Sequence, residues 1–158
     1  GTDFKLKTLN NNGMKAKNFR IGNVIKYDNR IFTIHTIADE FPTLDTIEFG
    51  IGVVDWNNIE PIKLTEDWLR ELGFEGHDMD MWKVLPTGNE LELHIDCVRE
   101  GEFEHACLTQ GRTDKGVPGK DYKFAYLNDL KYVHELQNLF FALTGTELEL
   151  THETSTCG

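Results

Sequence analysis

The chain is 158 residues long and 39% hydrophobic, and its net charge of −11 lies almost wholly in residues 66–158, which carry nineteen acidic and eight basic side chains. That length and apolar fraction suffice for a buried core and exclude global disorder, while the acidic half repels phosphate backbones and argues against general nucleic-acid binding there. No apolar run approaches the roughly 18 residues that span a bilayer, no secretory signal opens the sequence, and three cysteines without a CxxC pair fit reduced thiols, so a cytoplasmic protein is expected.

Residues 1–13 end in Asn10-Asn11-Asn12-Gly13, a turn signal, and read as a leader or appended segment before Met14. Phe4, Leu6 and Thr8 alternate with Lys5 and Lys7, so this segment could also add an edge strand. From Phe19 the pattern is β. Ile21–Tyr27 and Arg30–Ile37 flank Asp28-Asn29, a two-residue connection suited to a tight hairpin. A loop rich in Asp, Pro and Thr is expected over 38–46, a strand over Phe49–Val54, and a short edge strand at Ile59–Ile62. These short strands predict a small SH3-like β barrel over 14–63.

Thr65-Glu66-Asp67-Trp68 starts a short helix with an N-cap and acidic first turn, and Gly73 stops it. Strands are expected at Met79–Leu85, Leu91–Val98, Phe103–Thr109 and Tyr122–Tyr126, with Gln110–Asp121 a glycine-rich loop. Over 130–145, Tyr132, Val133, Leu136, Leu139, Phe140 and Leu143 share one face at helical spacing, with Asn128 or Asp129 as the cap and Gly145 as the stop. The expected fold is α+β: the barrel, then an antiparallel sheet packed by one long C-terminal helix over 64–150, then a flexible tail at 151–158.

The most chemical constellation lies on the 91–109 hairpin. Leu91, Leu93, Ile95 and Cys97 form its apolar alternation, leaving Glu92, His94 and Asp96 on the other face. A two-residue turn at Glu100-Gly101 would set Asp96 opposite His105 and His94 opposite Cys107, with directly paired Cβ atoms about 4.5–5.5 Å apart. His94, Asp96, His105 and Cys107 could then hold zinc or a similar divalent ion. A three-residue turn would scatter the set, and a solvated polar face is the ordinary alternative. His77, Asp78 and Asp80 read as turn residues, and His35 and His134 as structural ones.

Other chemistries find little footing. The 111–121 loop lacks the Gly at 114 and the Ser or Thr after Gly119-Lys120 that a phosphate loop needs. Ser155 is the only serine and lies in the tail, as does Cys157. No carboxylate sits in a recognisably apolar setting that would raise its pKa. Trp56, Trp68 and Trp82 read as packing residues.

Three stretches carry a family resemblance: Phe19-Arg-Ile-Gly-Asn-Val-Ile-Lys-Tyr27, Ile59-Glu-Pro-Ile-Lys-Leu-Thr-Glu-Asp-Trp-Leu-Arg-Glu-Leu-Gly-Phe74, and Tyr132-Val-His-Glu-Leu-Gln-Asn-Leu-Phe-Phe-Ala-Leu-Thr-Gly145. Over most of 14–150 the chain resembles a group of small uncharacterised proteins of Bacteroidales, their prophages and their phages. The resemblance implies a soluble intracellular protein, often on mobile elements, and transfers no catalytic residue. The region 76–121 carries no resemblance, and any function particular to this chain is expected there.

The expected function is therefore a non-enzymatic binding or accessory protein, phage-related, that recognises an unidentified protein partner, with no membrane partner and no cofactor. The first alternative is a metal-binding protein or metal-dependent enzyme using His94, Asp96, His105 and Cys107. The second is nucleic-acid contact by the near-neutral barrel through Lys15, Lys17, Arg20, Lys26 and Arg30.

Overall fold

A computed structural model describes residues 19–38, 41–46, 50–53, 58–77, 79–99, 101–112 and 118–151. The leader, Lys15, Lys17, Trp56, Asp78 and the end of the tail lie outside them. The chain divides into two compact units, Gly1–Ile62 and Lys63–Gly158. The fold is α+β with two antiparallel five-stranded sheets.

The first unit contains β1 (Val24–Tyr27), β2 (Arg30–Ala38), β3 (Phe41–Thr46), β4 (Gly50–Val53) and β5 (Ile59–Glu60), in the spatial order β4-β3-β2-β1-β5. Asp28 and Asn29 both take positive φ, 52° and 60°, as a primed hairpin turn requires. Ile25, Ile34, Ile59 and Phe19 form the core, with Tyr27 and Phe32 packed against it. No pairing among the described residues closes the sheet into a barrel. The loop expected over 38–46 is in part a strand: Pro42 lies opposite Ile37 and Thr43 opposite Thr36, after a register shift between Ile34 and Thr36.

The second unit holds α1 (Glu66–Glu71), β6 (Glu75–His77), β7 (Asp80–Val84), β8 (Glu92–Arg99), β9 (Glu102–Arg112), β10 (Pro118–Asp129) and α2 (Val133–Thr144). Its sheet runs β10-β9-β8-β7-β6. Thr65 caps α1 by accepting from the Trp68 N–H. The C-terminal helix is shorter than its sequence pattern suggests, at 12 residues. Leu130 is still extended, donating to the Glu104 carbonyl, and Lys63 bridges Tyr132. The cap is therefore Tyr132, not Asn128 or Asp129, and the Glu135 carboxylate accepts from the N–H groups of Lys131 and Tyr132. Gly145 ends the helix at φ 71°.

Strands β9 and β10 reach well into the expected 110–121 loop, to Arg112 and from Pro118. Buried apolar side chains come from one face of the sheet (Met81, Leu93, Ile95, Ala106) and from the helices (Leu69, Val133, Leu136, Phe140). No helix among the described residues is long and apolar enough to cross a membrane.

Candidate metal centre

Strand alternation puts every second residue of β7–β10 on the sheet face opposite that apolar set. Cross-strand pairing arranges them in three rows. Val84, Glu92, Thr109 and Phe124 form the first; Trp82, His94, Cys107 and Tyr126 the second; Asp80, Asp96, His105 and Asp129 the third. His94 does face Cys107 and Asp96 does face His105, because the two register shifts between Asp96 and Arg99 cancel and restore the register set by the two-residue connection from Arg99 to Glu102. The third row extends to His77 on β6, so five titratable side chains cross the sheet in line.

The face is not simply solvated. His94 is 2% exposed, and Cys107 and Thr109 are also buried. The Trp82 ring stacks on His94, with centroids 6.1 Å apart. His94 Nδ1 lies 2.9 Å from Asp80 Oδ1 and its Nε2 lies 3.0 Å from Glu92 Oε1. Ionised carboxylates only accept, so both contacts are satisfied only if the ring carries two protons or one carboxyl carries one. Thr109 donates to the same Glu92 oxygen at 3.4 Å.

Asp80, His94 and Asp96 each present a ligand atom, all within 4.8 Å of one another. Asp96 is pushed up to about 6, first by burial and then by its hydrogen bond to Asp80 and that residue's charge, against the opposing pull of His94 and His105. A raised carboxylate therefore exists here, contrary to the sequence reading, because the fold partly buries Asp96 and the strand pairing sets it directly opposite Asp80. The Cys107 thiol, 3.9 Å from Asp96 Oδ2, is raised by burial and by the charges of Asp96 and Asp80. It rests as a neutral thiol at pH 7.

The four residues read from the sequence thus divide. His94 and Asp96 converge with Asp80, and Cys107 lies beside that set, 3.9 Å from Asp96. His105 shares their face but binds elsewhere, with Nδ1 2.7 Å from Asp129 Oδ1. The Tyr126 hydroxyl donates to that same oxygen, which raises Tyr126 to about 12 and lowers Asp129. Asp80 was legible in principle, since continuing the β7–β8 hairpin from Leu85 opposite Leu91 sets Asp80 against Asp96. Gly76, at φ +112°, lets β6 lie beside this site, for a Cβ there would collide with the Asp80 carbonyl and the Trp82 ring.

Two other regions are less gathered. A half-open recess of about 470 Å³ has Lys63, Arg99, Lys131, Phe103 and Tyr132 in its walls and none of the ligand candidates. In the first unit Lys26 pairs with Ile31 and Glu60, whereas Arg30 pairs with the neighbouring Tyr27, so the two cations lie on opposite faces. Arg20 donates to the Ile21 carbonyl. Among the described residues no basic stripe forms. No family model, curated protein or solved structure matches the chain.

Proposed function

We propose that this chain is a non-enzymatic binding protein whose second sheet holds one divalent cation between Asp80, His94 and Asp96. The observation that carries this is the convergence of two carboxylates and a buried imidazole within 4.8 Å. Nitrogen and oxygen ligands bind zinc at about 2.0–2.2 Å, a distance that small side-chain rotations would reach. Asp96 already holds a proton more tightly than an ordinary aspartate, first because it is partly buried and then because Asp80 crowds it. A cation would replace that proton and relieve the crowding. Nearby Glu92 and Trp82 would orient the imidazole, as outer partners of a metal-bound histidine do.

The nature of the ion depends on Cys107. A soft ion such as zinc would draw its thiolate in as a further ligand, while a hard ion such as manganese would leave it protonated. The resemblance to phage and Bacteroidales proteins supports an intracellular accessory role. In the first unit, pairing of β5 onto β1 supports a small SH3-like barrel, and the buried stripe of α2 supports its packing on the second sheet.

Calorimetric titration of metal-free, untagged protein with zinc and with manganese tests the reading. The expected result is one site per chain, weakened at least about tenfold by Asp80→Asn or Asp96→Asn. Absence of stoichiometric binding, or equal binding by both variants, would refute it. Cys107→Ala is expected to weaken zinc and leave manganese unchanged.

A further inference from the structure

Among the described residues strand β10 is an outer edge of the second sheet and, at 12 residues, the longest strand, followed by its neighbour β9 at 11. An edge strand presents a row of main-chain donors and acceptors that another strand can take up. Its side chains from Lys123 to Tyr126 are all exposed, including the large apolar Phe124 and Tyr126, at 59% and 53%. Register shifts flank this stretch, between Pro118 and Lys123 and between Tyr126 and Asn128, so only these four residues offer a regular ladder. The opposite edge, β6, has three residues and contains Gly76. It offers no comparable template.

We propose that β10 pairs antiparallel with β10 of a second copy of this chain, about a two-fold axis through Ala125. Three features select a second copy. First, a two-fold axis normal to the sheet keeps faces matched, so Phe124 can meet only side chains of its own face. With Ala125 on the axis, Phe124 lies opposite Tyr126 of the other copy, twice. Aromatic cross-strand pairs are among the more stabilising ones. Second, the edge is locally balanced, with Lys120 and Lys123 against Asp121 and Asp129, although the surrounding unit is strongly acidic. Third, centring the axis on Lys123 would oppose two ammonium groups, which the Ala125 register avoids. The partner's segment thus has the same short length and the same aromatic row as the strand it joins.

The long-range field opposes this association, because each copy carries −11. Added salt screens that repulsion and should tighten the dimer, whereas docking driven by ion pairs with a cationic partner would loosen.

Sedimentation equilibrium on the full chain, in low and in high salt, provides the test. The expected result is a monomer–dimer equilibrium that tightens with salt. Phe124→Glu should weaken it at least about tenfold, by removing two aromatic pairs and adding two charges, and Phe124→Trp should preserve it. In a Cys157→Ser background, Ala125→Cys should oxidise to a covalent dimer, because two copies of residue 125 meet on the axis. Lys123→Cys should not. Both sites are exposed, and near-UV circular dichroism checks that each variant stays folded. A chain that remains monomeric, a dimer indifferent to Phe124→Glu, or faster cross-linking at 123 than at 125 would overturn the proposal.

Discussion

The two faces of the second sheet are built from alternate residues of the same four strands, yet burial follows different rules on each. On the apolar face Met81, Leu93, Ile95 and Ala106 are all fully buried, as hydrophobic patterning requires. On the other face the buried positions are polar or weakly polar (His94, Cys107, Thr109), and the exposed ones include Val84, Phe124 and Tyr126. Position across the sheet, not polarity, decides: β8 and β9 have neighbours on both sides, β10 is an edge, and β6 is too short to reach Val84 on β7. Alternation reveals which face a residue occupies, and strand order then determines whether water reaches it.

The sharpest way to separate the faces is truncation. Leu93→Ala should cost about 3 kcal/mol in urea denaturation, because it leaves a cavity in a packed layer. A comparable loss from Thr109→Val, which keeps the shape and removes one long hydrogen bond, would erase the distinction. Gly76→Ala ranks next, at about 2 kcal/mol, since the residue would need both a strained φ and room that Asp80 and Trp82 occupy.

Asp96→Asn should act in the opposite direction in metal-free protein. The folded chain holds the Asp96 proton up to about 6, against 3.8 for an ordinary aspartate. Folding therefore takes up protons in that window, and the stability Asp96 contributes is complete below about pH 4 and lost as the pH rises through 6. Part of the charge crowding is screened by solvent, so the gain from Asp96→Asn at pH 7 should be on the order of 1 kcal/mol, and absent at pH 4. The smallest effect is expected at His134, lowered by burial despite the pull of Glu135. Its contribution is present above pH 6.5 and declines as the pH falls below it. His134→Gln should flatten the acid limb of a thermal-stability profile by a few tenths of a kcal/mol.

Much of this architecture was written locally. The Asp28-Asn29 turn, the Thr65 cap, the Gly145 stop and the two cross-strand pairs of the 94–107 hairpin all follow from residues close in sequence. What escaped depended on pairing at a distance. Phe41–Thr46 reads as a loop because Pro42 and Asp45 are poor strand formers, and only the partner β2 makes it a strand. The C-terminal helix pattern begins at Leu130, but backbone bonds to Glu104 and Lys63 claim the first turn. Asp80 looks like a turn residue beside His77 until β7 is laid against β8, and only then does its carboxylate meet His94 and Asp96.

Anomalous diffraction from crystals grown with zinc, recorded above and below the zinc edge, decides whether Asp80, His94 and Asp96 hold an ion. One peak per chain is expected, within about 2.0–2.2 Å of a His94 ring nitrogen and of carboxylate oxygens from Asp80 and Asp96. A peak seated instead on His105 and Asp129, or bound zinc with no density at the β7–β8 hairpin, would contradict it.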